Sequence, residues 1–223
     1  MNRQPNPTRR WRQWRWRVLA FGMTVVLSLS SYTLYTIQRA NFRPVVSGEA
    51  YRSGQMDAEQ LARTIERHGI KSIVNLRGGS LNATWYEAEI ETAARLGAAH
   101  YDRDLDSGEE LTLEQMDDLV ALLRQAPKPV LIHCLGGADR SGLASGLYRL
   151  AIEGRTPKEA EGELSIWYGH VPLIRPKVTA MDRSFWRYVS NRVSRIDMNQ
   201  GPGSQVTPSQ QPAPLYPGHT GNG

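Results

Sequence analysis

The sequence predicts an α/β domain, a central and mostly parallel sheet flanked by helices, behind an N-terminal transmembrane helix. Three observations predict it. Two short runs, "KSIVNLR" (71–77) and "KPVLIHC" (128–134), hold adjacent apolar and β-branched residues without strict polar alternation, as in strands covered on both faces. Around them lie segments with apolar residues at helical spacing, and strands alternating with helices imply a parallel-type sheet. Ahead of them all, "VLAFGMTVVLSLSSYTLYTI" (18–37) holds 20 residues without a formal charge, enough for roughly 30 Å of helix.

Charge supports this organisation. The chain has 223 residues, 27 basic and 22 acidic, for a net +5. Residues 1–17 hold six arginines and no acid, which leaves 21 basic against 22 acidic residues downstream. A near-neutral body has no footprint for DNA or RNA, so nucleic acid is not an expected partner. An arginine-rich flank before an uncharged span points the N-terminus into the cytoplasm. Trp11, Trp14 and Trp16 suit a headgroup interface. The expectation is a signal-anchor at 18–38 in a bacterial inner membrane, with the folded domain on the periplasmic side. A cleavable signal peptide and a soluble buried helix are the alternatives. The first lacks an A-x-A site and the second an amphipathic stripe. Six serines and threonines keep the span only moderately apolar.

Residues 39–47 read as a connector, and the domain is expected over 48–196. "AYRSGQM" (50–56) reads as a short strand and turn. Asp57 is placed to cap a helix through Leu61, Ile65 and His68, with Gly69 ending it. After the strand 71–77, a helix at 84–96 ends at Gly97, and a strand from Ala98 runs toward "YDRDLDSGEEL" (101–111). Thr112–Gln125 carries Leu113, Met116, Leu119, Val120 and Leu123 on one face of a helix. Helices are further expected over 142–154, 157–168 and 182–193. Residues 197–223, rich in Gly, Pro, Gln and Ser, read as a disordered tail.

The only cysteine of the chain, Cys134, stands where the apolar strand ends and a helix is about to begin. In an open α/β sheet, ligands bind at the carboxyl ends of strands. Gly136 and Gly137 let the backbone turn so that successive N–H groups point inward as an anion nest. The following helix adds the positive end of its dipole. Arg140 can curl back and offer a two-pronged fork to a phosphate. The same field favours the thiolate form of Cys134, and Ser141 can hydrogen-bond its sulfur. These parts suit a nucleophile aimed at the phosphorus of a phosphate monoester. A buried, inert cysteine is the plain alternative.

"HCLGGADRSG" (133–142) resembles the H-C-x5-R-[S/T] signature of cysteine-dependent protein-tyrosine and dual-specificity phosphatases. "YRSGQ" (51–55) and "IVNLR" (73–77) are similar to flanking segments of the small atypical dual-specificity group, so that the likeness covers roughly 48–170. It implies a protein-tyrosine-phosphatase-like fold and a phosphocysteine intermediate, with no metal and no cofactor. It also implies roles: Cys134 as nucleophile, Arg140 as phosphate clamp, Ser141 as thiolate-stabilising hydroxyl, and Leu135, Gly136, Gly137 and Ala138 as the phosphate-binding loop. His133 orients the loop or tunes the thiol. The family's general acid lies on a loop about 30 residues earlier, where Asp102, Asp104 and Asp106 are available. Asp106 is the first choice and Asp139, inside the signature, the second.

The expected partner is a phosphorylated protein, or in a second reading a lipid or glycolipid phosphate at the membrane. A rhodanese-like sulfurtransferase and a catalytically dead phosphate-binding module are the remaining alternatives; Arg140 followed by Ser141 speaks against the first, and the intact Cys134–Arg140 pair against the second. Five histidines show no metal-ligand spacing. "WYGHVPL" (167–173) reads as an aromatic loop packed on the core or as a substrate wall. Arg77 reads as a salt-bridged surface residue or an aid to anionic substrates, and "EAEIE" (87–91) as a solvated helix face.

Overall fold

Apolar strand residues alternate between two cores, and this sets the layers of the domain. In the computed structural model, which describes residues 7–38, 40–80 and 82–199, five strands form one sheet. They are β1 (Arg43–Val46), β2 (Ala50–Ser53), β3 (Ser72–Asn75), β4 (Ala99–Asp102) and β5 (Val130–His133), in the order β1-β2-β5-β3-β4. β1 runs antiparallel to β2, and every other pairing is parallel. In the central β5, Val130 and Ile132 pack into the larger core while Leu131 packs into the smaller one. Burial on both faces is why the run shows no polar alternation.

Seven helices are described: α1 (Pro7–Gln38), α2 (Ala58–His68), α3 (Thr84–Arg95), α4 (Leu113–Gln125), α5 (Asp139–Ala151), α6 (Pro157–Glu161) and α7 (Thr179–Asn199). α2 and α3 supply Leu61, Ile65 and Ala93 to the smaller core. α4, α5 and α7 close the larger one with Met116, Leu119, Leu123, Leu143, Leu147 and Phe185. Local chemistry sets the helix ends. Asp57 accepts from Gln60 N–H at 2.7 Å, and Gly69, at φ 63°, ends α2 in the left-handed region open to glycine. Thr112 and Gln115 form a reciprocal capping box at α4.

Several expectations are corrected. No described helix is long and apolar enough to cross a membrane, so the N-terminal transmembrane helix is not part of this fold. Residues 18–37 are helical, but hydroxyl side chains dilute their apolar character. Near the end of α1, Tyr32 Oη donates to the Trp167 carbonyl of the domain at 3.1 Å. The membrane-anchored topology rested on that span. The connector 39–47 contains β1, because Pro44 and Val46 pair with Tyr51 and Ala50. The expected helix 157–168 ends at Glu161, and Glu163 turns inward to a buried ion pair with Arg52. α5 begins three residues earlier than expected, which puts Arg140 and Ser141 in its first turn. The expected tail 197–223 begins inside α7, which runs to Asn199, and from residue 200 on it lies outside the described residues.

Candidate active site

The loop Cys134–Arg140 joins the end of β5 to the start of α5. Its shape depends on a second turn, Ser53–Gln55 after β2, lying directly against it. Cys134 N–H donates to Ser53 O at 3.3 Å, and Gln55 N–H donates to Leu135 O at 3.0 Å. Gly137 has φ 67°, and a Cβ there would sit 2.4 Å from Gly54 N. A Cβ on Gly54 would meet Leu135 O at 2.9 Å. Only glycine fits at both contacts.

Two buried side chains hold the outward-facing carbonyls of the loop. Arg52 is fully buried. Its Nη2 donates to Gly137 O at 3.0 Å and Ala138 O at 2.9 Å. Its Nη1 donates to Glu163 Oε2 at 2.8 Å and to the Glu163 carbonyl at 2.7 Å. Asn41 Nδ2 donates to Gly137 O at 2.9 Å, Gly136 O at 3.2 Å and Tyr168 O at 2.8 Å. With the carbonyls tied outward, the loop N–H groups are left for the opposite side, as an anion nest requires.

Cys134 is 3% exposed. Ser141 Oγ lies 3.5 Å from its sulfur. Burial pushes the thiol pKa up, but hydrogen bonds from the Ser141 hydroxyl and N–H, the Arg140 charge and the Gly137 N–H outweigh it and bring the thiol below its ordinary value. Arg140 is half-buried and donates through Nη1 to Leu105 O at 3.1 Å and to Leu76 O at 3.3 Å. It thereby ties α5 to the loops after β3 and β4. Leu135 and Gly136 are exposed at the loop mouth, whereas Gly137, Ala138 and Ser141 are buried.

Arg140 also lines a cleft of about 550 Å³ together with Asp104, Leu105, Asp106, Ser107, Glu109, Glu110, Leu111 and Gln115. Asp106 is exposed, and its Oδ1 accepts the Gly108 N–H at 2.7 Å. Asp102 is already engaged, accepting from Tyr86 Oη at 2.5 Å and Asn75 Nδ2 at 2.7 Å. Asp139 points the other way. It is 7% exposed, 2.7 Å from His170 Nδ1 and 3.1 Å from Arg175 Nη1.

A thiol whose pKa is lowered on a glycine loop, with an arginine at the head of the next helix, can attack and bind a phosphoryl group. Residues 48–151 match a family model described as a DSP-PTPase phosphatase of polymorphic toxin systems. Over that segment, which holds the whole Cys134–Ser141 loop, the chain is similar to cysteine-dependent phosphatases of the dual-specificity type.

Solved structures share its fold. The catalytic core of the PP-IP phosphatase SIW14 from S. cerevisiae, in complex with citrate, superposes with a TM-score of 0.55 at 19% identity, covering 72% of this chain and 92% of that one. P. aeruginosa TpbA, a Cys→Ser variant in complex with pTyr, gives 0.54 at 18% identity, covering 73% and 92%. No curated relative matches the sequence. The family match displaces the sulfurtransferase alternative.

Around the phosphatase loop, the tertiary structure uses residues that sequence reasoning passed over or misread. Arg52 and Asn41 carried no motif signal, although Arg52 lies inside "YRSGQ". Glu89, read as part of a solvated face, is 3% exposed. Its Oε1 lies 2.8 Å from His100 Nε2 and 3.0 Å from His133 Nε2, and its Oε2 accepts from Gln55 Nε2 at 2.7 Å. Burial pushes the Glu89 carboxyl up, but the two histidines and Gln55 outweigh that and hold it down at about 2. The aromatic loop 167–173 packs on the domain through Tyr168. Tyr168 stacks under Arg52 at 4.2 Å while Trp167, Leu173 and Ile174 stay exposed.

Proposed function

We propose that this phosphatase cleaves phosphate monoesters in two steps through a phosphocysteine at Cys134. The Cys134 thiolate attacks phosphorus, and the ester oxygen leaves with its electron pair and a proton from Asp106. Arg140 and the N–H groups of Gly136, Gly137 and Ala138 hold the three phosphoryl oxygens. Water then attacks the phosphocysteine and gives its proton to Asp106. The S–P bond breaks, inorganic phosphate leaves, and the Ser141 hydroxyl stabilises the returning thiolate. The observation that carries the reading is the placing of the Cys134 sulfur at the foot of the glycine loop between β5 and α5, 3.5 Å from the Ser141 hydroxyl and with Arg140 in the first turn of the helix.

Asp106 is assigned the acid for a geometric reason. It shares the Arg140 cleft and is joined to that arginine through the carbonyl of its neighbour Leu105. Asp139 is buried and turned to His170 and Arg175, so its carboxyl does not open onto that cleft. Because the similarly folded TpbA is recorded with pTyr, a phosphotyrosyl peptide is the first physiological-type substrate to try.

Phenyl phosphate turnover tests the mechanism. Cys134→Ser should abolish it without lowering the melting temperature, and acid quench of the wild-type chain should trap the phosphoryl group on Cys134 by mass spectrometry. Turnover in the serine variant equal to wild type would overturn the assignment.

A further inference from the structure

A second arginine stands at the rim of the phosphate loop, and the two-step reaction does not use it. Arg77 follows Leu76, whose carbonyl accepts from Arg140. Its backbone bridges that of Asp104, and its N–H donates to Asn75 Oδ1 at 2.9 Å. From this fixed base the side chain crosses to the other flank of the loop. Nη1 donates to Gln55 Oε1 at 2.9 Å, and the Gln55 N–H donates to Leu135 O in the loop itself.

The guanidinium carbon lies 3.6 Å from the centre of the Trp85 ring. Stacking engages the flat face of an arginine and leaves its in-plane N–H edge available to an anion. Among the described residues no carboxylate lies within 4.0 Å of that edge. Glu89, which acts on Arg77 from further away, is engaged with His100, His133 and Gln55. Burial and the nearby Arg140 charge push the Arg77 pKa down. Two cations converging on one loop mouth repel each other until an anion lies between them.

We infer that Arg77 forms a second anion subsite, and that the preferred substrate carries a second anionic group, phosphoryl or carboxylate, beside the phosphate to be cleaved. The inference rests on the mechanism above, with Arg140 taking the scissile group. Arg77 does not line the Asp106 cleft, so the second group lies on the Trp85 flank, away from the general acid. The planar fork fits either oxyanion; a single aryl phosphate leaves it empty.

Three aryl substrates separate the possibilities: phenyl phosphate, catechol bisphosphate and salicyl phosphate, the last two bearing a phosphate or a carboxylate next to the scissile group. The quantity read is the kcat/KM of each doubly anionic substrate relative to phenyl phosphate. Arg77→Gln should lower that ratio by about tenfold, the worth of a charge-assisted hydrogen bond. A fall confined to catechol bisphosphate identifies a phosphoryl group, and one confined to salicyl phosphate a carboxylate. Arg77→Lys keeps the charge but not the fork and should retain part of the ratio. Trp85→Leu, which leaves Arg77 charged but unstacked, should lower it as well and decides the matter if Arg77→Gln does not fold. An unchanged ratio, or an equal fall on all three substrates, overturns the subsite. Turnover of phenyl phosphate by the wild-type chain, lost in Cys134→Ser, checks the underlying mechanism separately.

Discussion

The loop that carries Cys134 and the loop that carries Asp106 face each other across Arg140, and they are built in opposite ways. The first is gripped from outside by Arg52 and Asn41, pressed against Gly54, and closed over a buried sulfur. The second is open. Asp106 is exposed and bonded to its own turn, and the loop meets the site through the Leu105 carbonyl held by Arg140. The difference suits what each loop would handle in the proposed mechanism. A nest of N–H groups stabilises developing charge only if it is in place beforehand. A general acid must regain its proton from water each turnover, and exposure serves that need.

This contrast can be broken at either loop. Asp106→Asn should reduce kcat for substrates with poor leaving groups by about 10²–10⁴ and remove the alkaline limb of the pH–rate profile, while shifting stability by less than about 0.5 kcal/mol. An unchanged profile would move the role to Asp104, which shares the cleft. Arg52→Met should do the reverse, acting first on the fold. It leaves the buried Glu163 carboxylate with Arg149 alone, 3.2 Å away, and takes one donor each from the Gly137 and Ala138 carbonyls, for a loss of about 3 kcal/mol by urea unfolding. The double change with Glu163→Leu should restore part of that stability, since no buried carboxylate is left and Arg149 keeps Glu153 as its partner.

Gly137→Ala probes the same rigidity with one methyl group. The left-handed backbone and the 2.4 Å approach to Gly54 N should together cost about 3 kcal/mol. The smallest effect concerns Asp139. Burial alone would lower the His170 pKa, but Asp139 and Asp182 outweigh it and raise it above 6.5. Folding therefore favours protonated His170. That contribution is complete below about pH 6.5 and is lost as pH rises through the folded-state value. In Asp139→Asn the decline of melting temperature over that range should flatten, with an overall loss of about 1 kcal/mol.

Much of the site was legible in advance because it is local in the chain. Cys134, the two glycines, Arg140 and Ser141 fall within one strand–loop–helix unit, where spacing dictates geometry. Short apolar runs set between helical segments likewise revealed a mostly parallel sheet, since burial on two faces leaves a compositional trace. The misread parts depend on distance through space. Nothing in "EAEIE" marks Glu89 as the middle carboxylate that turns inward, because the histidines that draw it in lie 11 and 44 residues away. β1 escaped notice because a four-residue edge strand containing Pro44 has too little pattern of its own. The N-terminal span misled for a related reason. Lack of charge over 20 residues resembles a bilayer segment, yet six hydroxyl side chains weigh against it.

By itself, the sequence determined the chemistry: a lone thiol followed six residues later by an arginine, on a glycine turn between an apolar strand and a helix. Only the tertiary structure separates the two candidate aspartates. Asp139 and Asp106 are equally acidic as letters. One is buried between His170 and Arg175, while the other opens onto the Arg140 cleft. Proton transfer depends on partners and solvent access, and those are properties of the folded chain.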